Sequence, residues 1–318
     1  MSNLLRLLGK RLASLPLVAF GVVFLVFFLM SFSQYDPATA ALGENATQAE
    51  LAAYRSANGL DKPWYIQFFT YIWNMLHGNL GTYGLNHESV AGRIARAFPI
   101  TVQLTFIALA VVIVVATVFG VLAALFKDTW VDQVIRILSV IAIATPSFWL
   151  GVLLIFVFQI KLGVLPGAGP LVPFNENPSA YLARMAMPAF SLGLPVAGQL
   201  IRVIRTSMVE ELDKDYVRTA IGAGVPKAVV VSRNVLRNAL ITPITVLGMK
   251  IGYLMGGAIV IEVIFSLPGM GTTLFEGING NEPTLVQGVV LVVALAFVVI
   301  NMVVDLLYVL INPRIRTV

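Results

Sequence analysis

The chain has 318 residues, 58% of them hydrophobic and only 12% charged, with a net charge of +5 and no cysteine. Globular domains are about 45–50% apolar and about 25% charged, so the natural solvent for this surplus of apolar surface is lipid, and an all-α integral membrane protein is expected. The missing cysteines exclude disulfides, thiol catalysis and zinc-thiolate sites; in a membrane protein, where the basic residues fall decides what the positive charge means, and no nucleic-acid partner is expected.

A helix crosses a bilayer core of about 30 Å with about 20 apolar residues. Six segments meet that length: 12–32, 100–126, 134–161, 185–205, 239–265 and 284–311. The first is too long for the apolar core of a signal peptide and no small-residue cleavage site follows, so it reads as a retained anchor. The third carries Pro146 and Gly151, expected to kink it or let a neighbour approach closely. Ser147 beside them lacks the glycine frame of a nucleophile elbow. The fourth carries Pro188, Gly193, Pro195 and Gly198. Such residues are tolerated where neighbouring helices re-satisfy the backbone, which predicts a place inside the bundle.

With a cytoplasmic N-terminus, fourteen lysines and arginines fall on inside segments and six on outside ones, with Lys250 inside a span. That bias places both termini in the cytoplasm. The outside loop, 33–99, is long and holds Trp64, Tyr65, Phe68, Phe69, Tyr71 and Trp73. Their density predicts an amphipathic helix at the membrane surface. The two histidines, His77 and His87, lie in the same loop without metal-ligand spacing, so no metal site is expected.

Charges within spans are costly and therefore informative. Lys250, Glu262 and Asp305 are the candidates. Lys250 and Glu262 are twelve residues apart, about 18 Å along one helix, and cannot pair with each other. Both are candidates for lining a polar pathway, against structural hydrogen bonding or snorkelling.

The inside segment 206–238 leads into the fifth span through "DKDYVRTAIGAGVPKAVVVSRNVLRNALITP" (213–243). "GAGVPKA" lacks the G-x-x-x-x-G-K-[ST] order and a preceding strand, so it is no phosphate loop. An acidic residue suits a helix start. From Asp213 or Asp215 a short helix follows, with Val217, Ala220 and Ile221 at helical spacing, until Gly224 and Pro226 break it. Small residues around the turn (Thr219, Ala220, Gly222, Ala223) leave room for a docking protein.

This stretch resembles the coupling motif of ABC importer permeases, E-A-A-x-x-x-G, with Arg218, Thr219 and Ala220 at the E-A-A positions and Gly224 at the glycine. "DYVRTA…G…LRNAL..P" is similar to the peptide-importer branch. "GLDKPWYIQFFTYIWNMLHGNLGTYG" (59–84), "FPITVQLT" (98–105), "IFSLPGMG" (264–271) and "INPRIR" (311–316) follow in family order, and the long 33–99 loop favours the B-type subunit. The chain departs from the pattern at "AIGAG", where relatives carry A-R-A-K-G, at "SQYDP" (33–37), and at Asn79, where Asp is common.

The resemblance implies a type I importer permease: residues 1–99 as first helix plus outer loop, 100–318 as a five-helix core with a coupling helix near 213–226. It implies the bacterial plasma membrane as location and a C-type permease as partner. Two ATPase subunits holding ATP and magnesium would dock beneath, and an extracytoplasmic binding protein would dock above. It implies no cofactor on this chain and no enzyme chemistry, only coupling through Asp215, Tyr216, Val217, Arg218, Thr219, Ala220 and Gly224. Di- or oligopeptides are the expected cargo, with nickel, glutathione or oligosaccharides as alternatives. An ion-coupled secondary transporter is disfavoured by the few mid-membrane charges and the lack of an internal repeat.

Overall fold

The computed structural model describes residues 2–32, 36–43, 45–84 and 86–311, with side chains in the first and last helices described from Pro16 onward and as far as Val304. The chain opens on α1 (Ser2–Met30). Three shorter helices follow, α2 (Pro37–Leu42), α3 (Gln48–Ala57) and α4 (Trp64–Leu76). An antiparallel hairpin, β1 (Thr82–Tyr83) with β2 (Glu88–Ser89), leads into α5 (Val90–Leu125). Then come α6 (Trp130–Ala144), α7 (Ser147–Leu154, continued by a π-helical turn over Ile155–Lys161) and α8 (Pro178–Leu212). The short α9 (Asp215–Gly222) is followed by α10 (Lys227–Val229), a π-helical turn over Val230–Val235, α11 (Leu236–Ala239) and α12 (Ile241–Phe265). The described chain ends with α13 (Met270–Asn279) and α14 (Pro283–Ile311).

Among the described residues four helices are long and apolar enough to cross a membrane: α5, α8, α12 and α14 over Pro283–Val304. The pair α6 and α7 is a fifth candidate, but it is bent by 104°. This corrects the expectation of a kinked but single helix over 134–161. Proline disfavours helical backbone at the residue before it. Thr145 accordingly sits at φ −84°, ψ 120°, and Pro146 starts a new helix.

The molecule divides into two units, one comprising Met1–Thr101 and Leu267–Val299, the other Val102–Ser266 and Ile300–Val318. In the first, local signals set the small helices. Thr47 and Glu50 form a reciprocal capping box at the start of α3. The Asp36 carboxylate caps α2 and accepts from Arg55. Burial pushes the Asp36 carboxyl up, but the Arg55 hydrogen bond and charge and the Ala38 N–H together hold it below its ordinary value. The aromatic helix of the 33–99 segment is α4, and it rests on α1. Phe68, 3% exposed, packs against Phe20, Phe24 and Phe27 while Trp64, Phe69 and Trp73 face outward. A second cluster joins Val90, Ile94 and Ala97 of α5 to Met270, Leu285 and Val289.

The second unit is organised around α8. Of its most apolar stretch 72% is buried, against 28% in α5 and α12 and 17% in α14, as its prolines and glycines predicted. The physical reason is closeness of approach. A Cβ at Gly198 would lie 2.8 Å from the Ser139 carbonyl oxygen of α6, and one at Gly193 would lie 3.0 Å from that of Ala108 in α5. Only glycine lets these backbones meet, so α8 is a buried axle and not a lipid-facing span.

Candidate functional site

The candidate site is the end of the second unit where α8 hands over to α9. Helix α8 continues to Leu212, seven residues beyond the predicted 205, and its inner face runs Ile201, Ile204, Met208, Glu211, all buried. Lys214 has extended backbone and precedes α9. Asp215 in the first turn suits the helix's positive end. Within α9, Val217 is buried at 3% exposure, whereas the Asp215 and Arg218 side chains are 99% and 73% exposed. The helix is therefore two-faced: one side seats it, the other is free.

Its end is a Schellman turn. The Gly224 N–H donates to the Ile221 carbonyl (3.0 Å) and the Val225 N–H to the Ala220 carbonyl (3.1 Å). That pattern requires left-handed backbone at the residue between, and Gly224 has φ +85°. Nothing in the chain lies within 4 Å of a Cβ placed there. Backbone conformation, and not crowding inside this chain, demands the glycine. A cleft of about 230 Å³ beside α9 is lined by Leu212, Val217, Ile221 and Val230, with Arg218 and Lys227.

Glu211 ties the junction together, and inspection of the motif alone misses it. The residue is 7% exposed, and its carboxylate accepts from Lys214 Nζ at 2.5 Å and Tyr216 Oη at 2.9 Å. The Asn238 side chain, beyond the turn in α11, hydrogen-bonds it as well. Burial pushes the Tyr216 phenol above its ordinary value; Asn238 opposes the rise and the Glu211 carboxylate adds to it, so Tyr216 remains a donor. Beside this junction, Arg205 donates to both oxygens of buried Asp132 at 2.6 Å, and Asp132 also accepts from the Asp128 N–H. Lys127 lies 3.8 Å from Asp213.

The other predicted residues are not gathered here. Lys250 and Glu262 lie on the one unbroken helix α12. Lys250 Nζ sits 5.7 Å from the ring centre of its neighbour Tyr253, and Glu262 is fully buried. The side chain of Asp305 lies outside the described residues, as does most of "INPRIR". His77 faces Trp73, with its Nδ1 2.7 Å from the Trp73 carbonyl, and His87 occupies the hairpin turn at φ +50°. Ser147 opens α7 directly after the break at Pro146. A buried cation missed from sequence is Arg184, which donates to the carbonyls of Gly167 and Phe265 at the far end of α12.

Comparison with known proteins follows this geometry. Residues 116–317 match the family model described as binding-protein-dependent transport system inner membrane component, and residues 4–105 match the N-terminal model of the same systems. A Brucella abortus protein named as a peptide transport system permease is 38% identical over 98% of both chains. DdpB of Escherichia coli, named for D,D-dipeptide transport, is 35% identical over 97% of both. GsiC of Escherichia coli, the glutathione transport system permease, is 36% identical over 96% of this chain and 97% of its own. With one model covering most of the chain and relatives matched end to end, the protein belongs to the family of inner membrane components of binding-protein-dependent transport systems.

Proposed function

We propose that this chain is the permease subunit of an ATP-driven ABC importer and forms half of the translocation pathway for di- or oligopeptides. The observation that carries the reading is α9. It is a short helix seated by Val217 and Tyr216, closed by a glycine turn, and offering Asp215, Arg218 and Thr219 outward. In a family of transport components, such a free face suits an ATPase subunit. Relatives named for peptide, D,D-dipeptide and glutathione transport support a peptide-like cargo; glutathione, nickel or an oligosaccharide are the alternatives.

In this reading six spans place both termini and α9 in the cytoplasm. Residues 1–99 form the first span and a long extracytoplasmic loop, and 100–318 form the core. A C-type permease completes the pathway, to which Lys250 and Glu262 contribute. Two ATPases hold ATP and magnesium, and a binding protein delivers the solute. ATP closes the ATPase pair, the docked helices follow, and the bundle switches between two rigid states. No bond is made or broken on this chain.

The test is uptake of a labelled dipeptide by vesicles holding the full complex. ATP-dependent uptake indifferent to an ionophore is expected. Uptake that persists without ATP and collapses with the ionophore would establish an ion-coupled transporter instead. Gly224→Asp should leave the chain inserted and abolish uptake; undiminished uptake would remove α9 from the mechanism.

A further inference from the structure

Two adjacent carboxylates, Glu210 and Glu211, end α8, and the sequence gives no reason to separate them. The structure does. Glu210 is exposed, whereas Glu211 is buried and faces three chain segments at once. We infer that Glu211 is the positioning residue of the coupling helix: its carboxylate fixes α9 to the end of α8 and to α11, so that displacement of α9 is delivered to the bundle.

The contacts define the role. Lys214 Nζ holds the linker between α8 and α9, Tyr216 Oη holds the first turn of α9, and Asn238 holds the segment entering α12. Around α9 the other restraints are weaker or local. Val217 and Ala220 give an apolar seat without direction. The Arg218–Asp215 pair, 3.9 Å apart and solvated, stays within α9. Thr219 Oγ1 bonds only the Asp215 carbonyl of its own helix. Among the described contacts, Glu211 and its donor Tyr216, which also hydrogen-bonds Asn238, join α9 directionally both to the helix before it and to the segment after it. Hydrogen bonds to a charged group in a buried setting are the strong, oriented kind. Helix α8 is the buried axle of its unit, so a force applied at Glu211 enters the best-packed helix.

This inference rests on the reading of α9 as the docking helix, and the experiment separates the two. The chain has no cysteine, so a spin label at Ile221→Cys, 44% exposed near the end of α9, reports its motion in the intact complex. Glu211→Ala and Tyr216→Phe should raise label mobility and lower solute moved per ATP hydrolysed, by about tenfold for Glu211→Ala, the scale of one charged hydrogen bond. Both should retain the ATPase subunits through purification. Glu210→Gln should change neither readout. Tyr216→Phe removes a single oxygen and decides the matter if Glu211→Ala does not fold. Unchanged mobility and stoichiometry in both variants, beside Gly224→Asp that does uncouple, overturns the role of Glu211 and leaves α9 as the docking helix. If Gly224→Asp is silent too, both readings fall.

Discussion

Two buried carboxylates of the second unit, Asp132 and Glu211, are built differently. Asp132 is fully buried and receives both arms of the Arg205 guanidinium, with Arg136 3.6 Å away and a backbone N–H completing the set. Its two main partners lie in α6 and α8, and the planar fork fixes their angle as well as their distance. Glu211 instead takes single-point donors: an ammonium on a flexible stem, a phenol and an amide. Asp132 welds two long helices. Glu211 ties a short one by contacts that hold direction yet tolerate rotation. Under the proposed function, a subunit pulled at α9 has use for both kinds.

The sharpest way to break this contrast is to remove each carboxylate. Asp132→Ala leaves Arg205, 18% exposed, without its partner, and should cost about 3–5 kcal/mol of stability. Thermal unfolding of the purified protein in detergent reads this directly, and adding Arg205→Met should recover most of the loss. Glu211→Ala should cost only about 1 kcal/mol, because Lys214 can turn to water. Equal losses would put the two carboxylates in one class and remove the distinction between weld and tether.

Glycines sharpen it next. Gly198 sits where α8 meets α6, and Gly198→Val drives side-chain atoms into the Ser139 carbonyl region. Overpacking there should cost about 1–3 kcal/mol and lower the unfolding temperature of the whole bundle. Gly224→Ala has open space around it and φ +85°. Its cost, about 1–2 kcal/mol, is conformational and confined to the end of α9. The bundle should therefore melt unchanged while uptake falls. A lowered melting temperature in Gly224→Ala would show that the turn supports the bundle and not only the docking face.

What could be read in the sequence was whatever depends on composition and local order. The glycines and prolines of α8 announced its burial because close backbone approach admits few other residues. The α9 turn was legible because Gly224 and Pro226 punctuate a short helical rhythm. The 104° break at Pro146 was underestimated, since a proline states that a helix is interrupted but the angle is set by what packs on either side. The Asp132–Arg205 pair spans 73 residues, and only the half within α6, Asp132 with Arg136, is visible as an i, i+4 spacing. Glu211 does carry a signal. Ile201, Ile204, Met208 and Glu211 continue one helical stripe, the last two members of which lie beyond an apolar span that ends at 205.

The smallest structural effect belongs to Arg218, and it tests how α9 meets its partner. The side chain is 73% exposed and its pairing with Asp215 at 3.9 Å is solvated, so Arg218→Glu should alter stability by no more than about 0.5 kcal/mol. Ile221 and Ala223 are uncharged, which leaves Arg218 as the one cation within α9. Reversing it should weaken retention of the ATPase subunits at low ionic strength. The difference should shrink toward 1 M salt, where charges are screened beyond about 3 Å. Retention lost equally at all salt concentrations would mean that the Arg218 stem contributes by packing. Retention unchanged at every concentration would mean that the uncharged surface around Ile221, 44% exposed, docks by apolar contact.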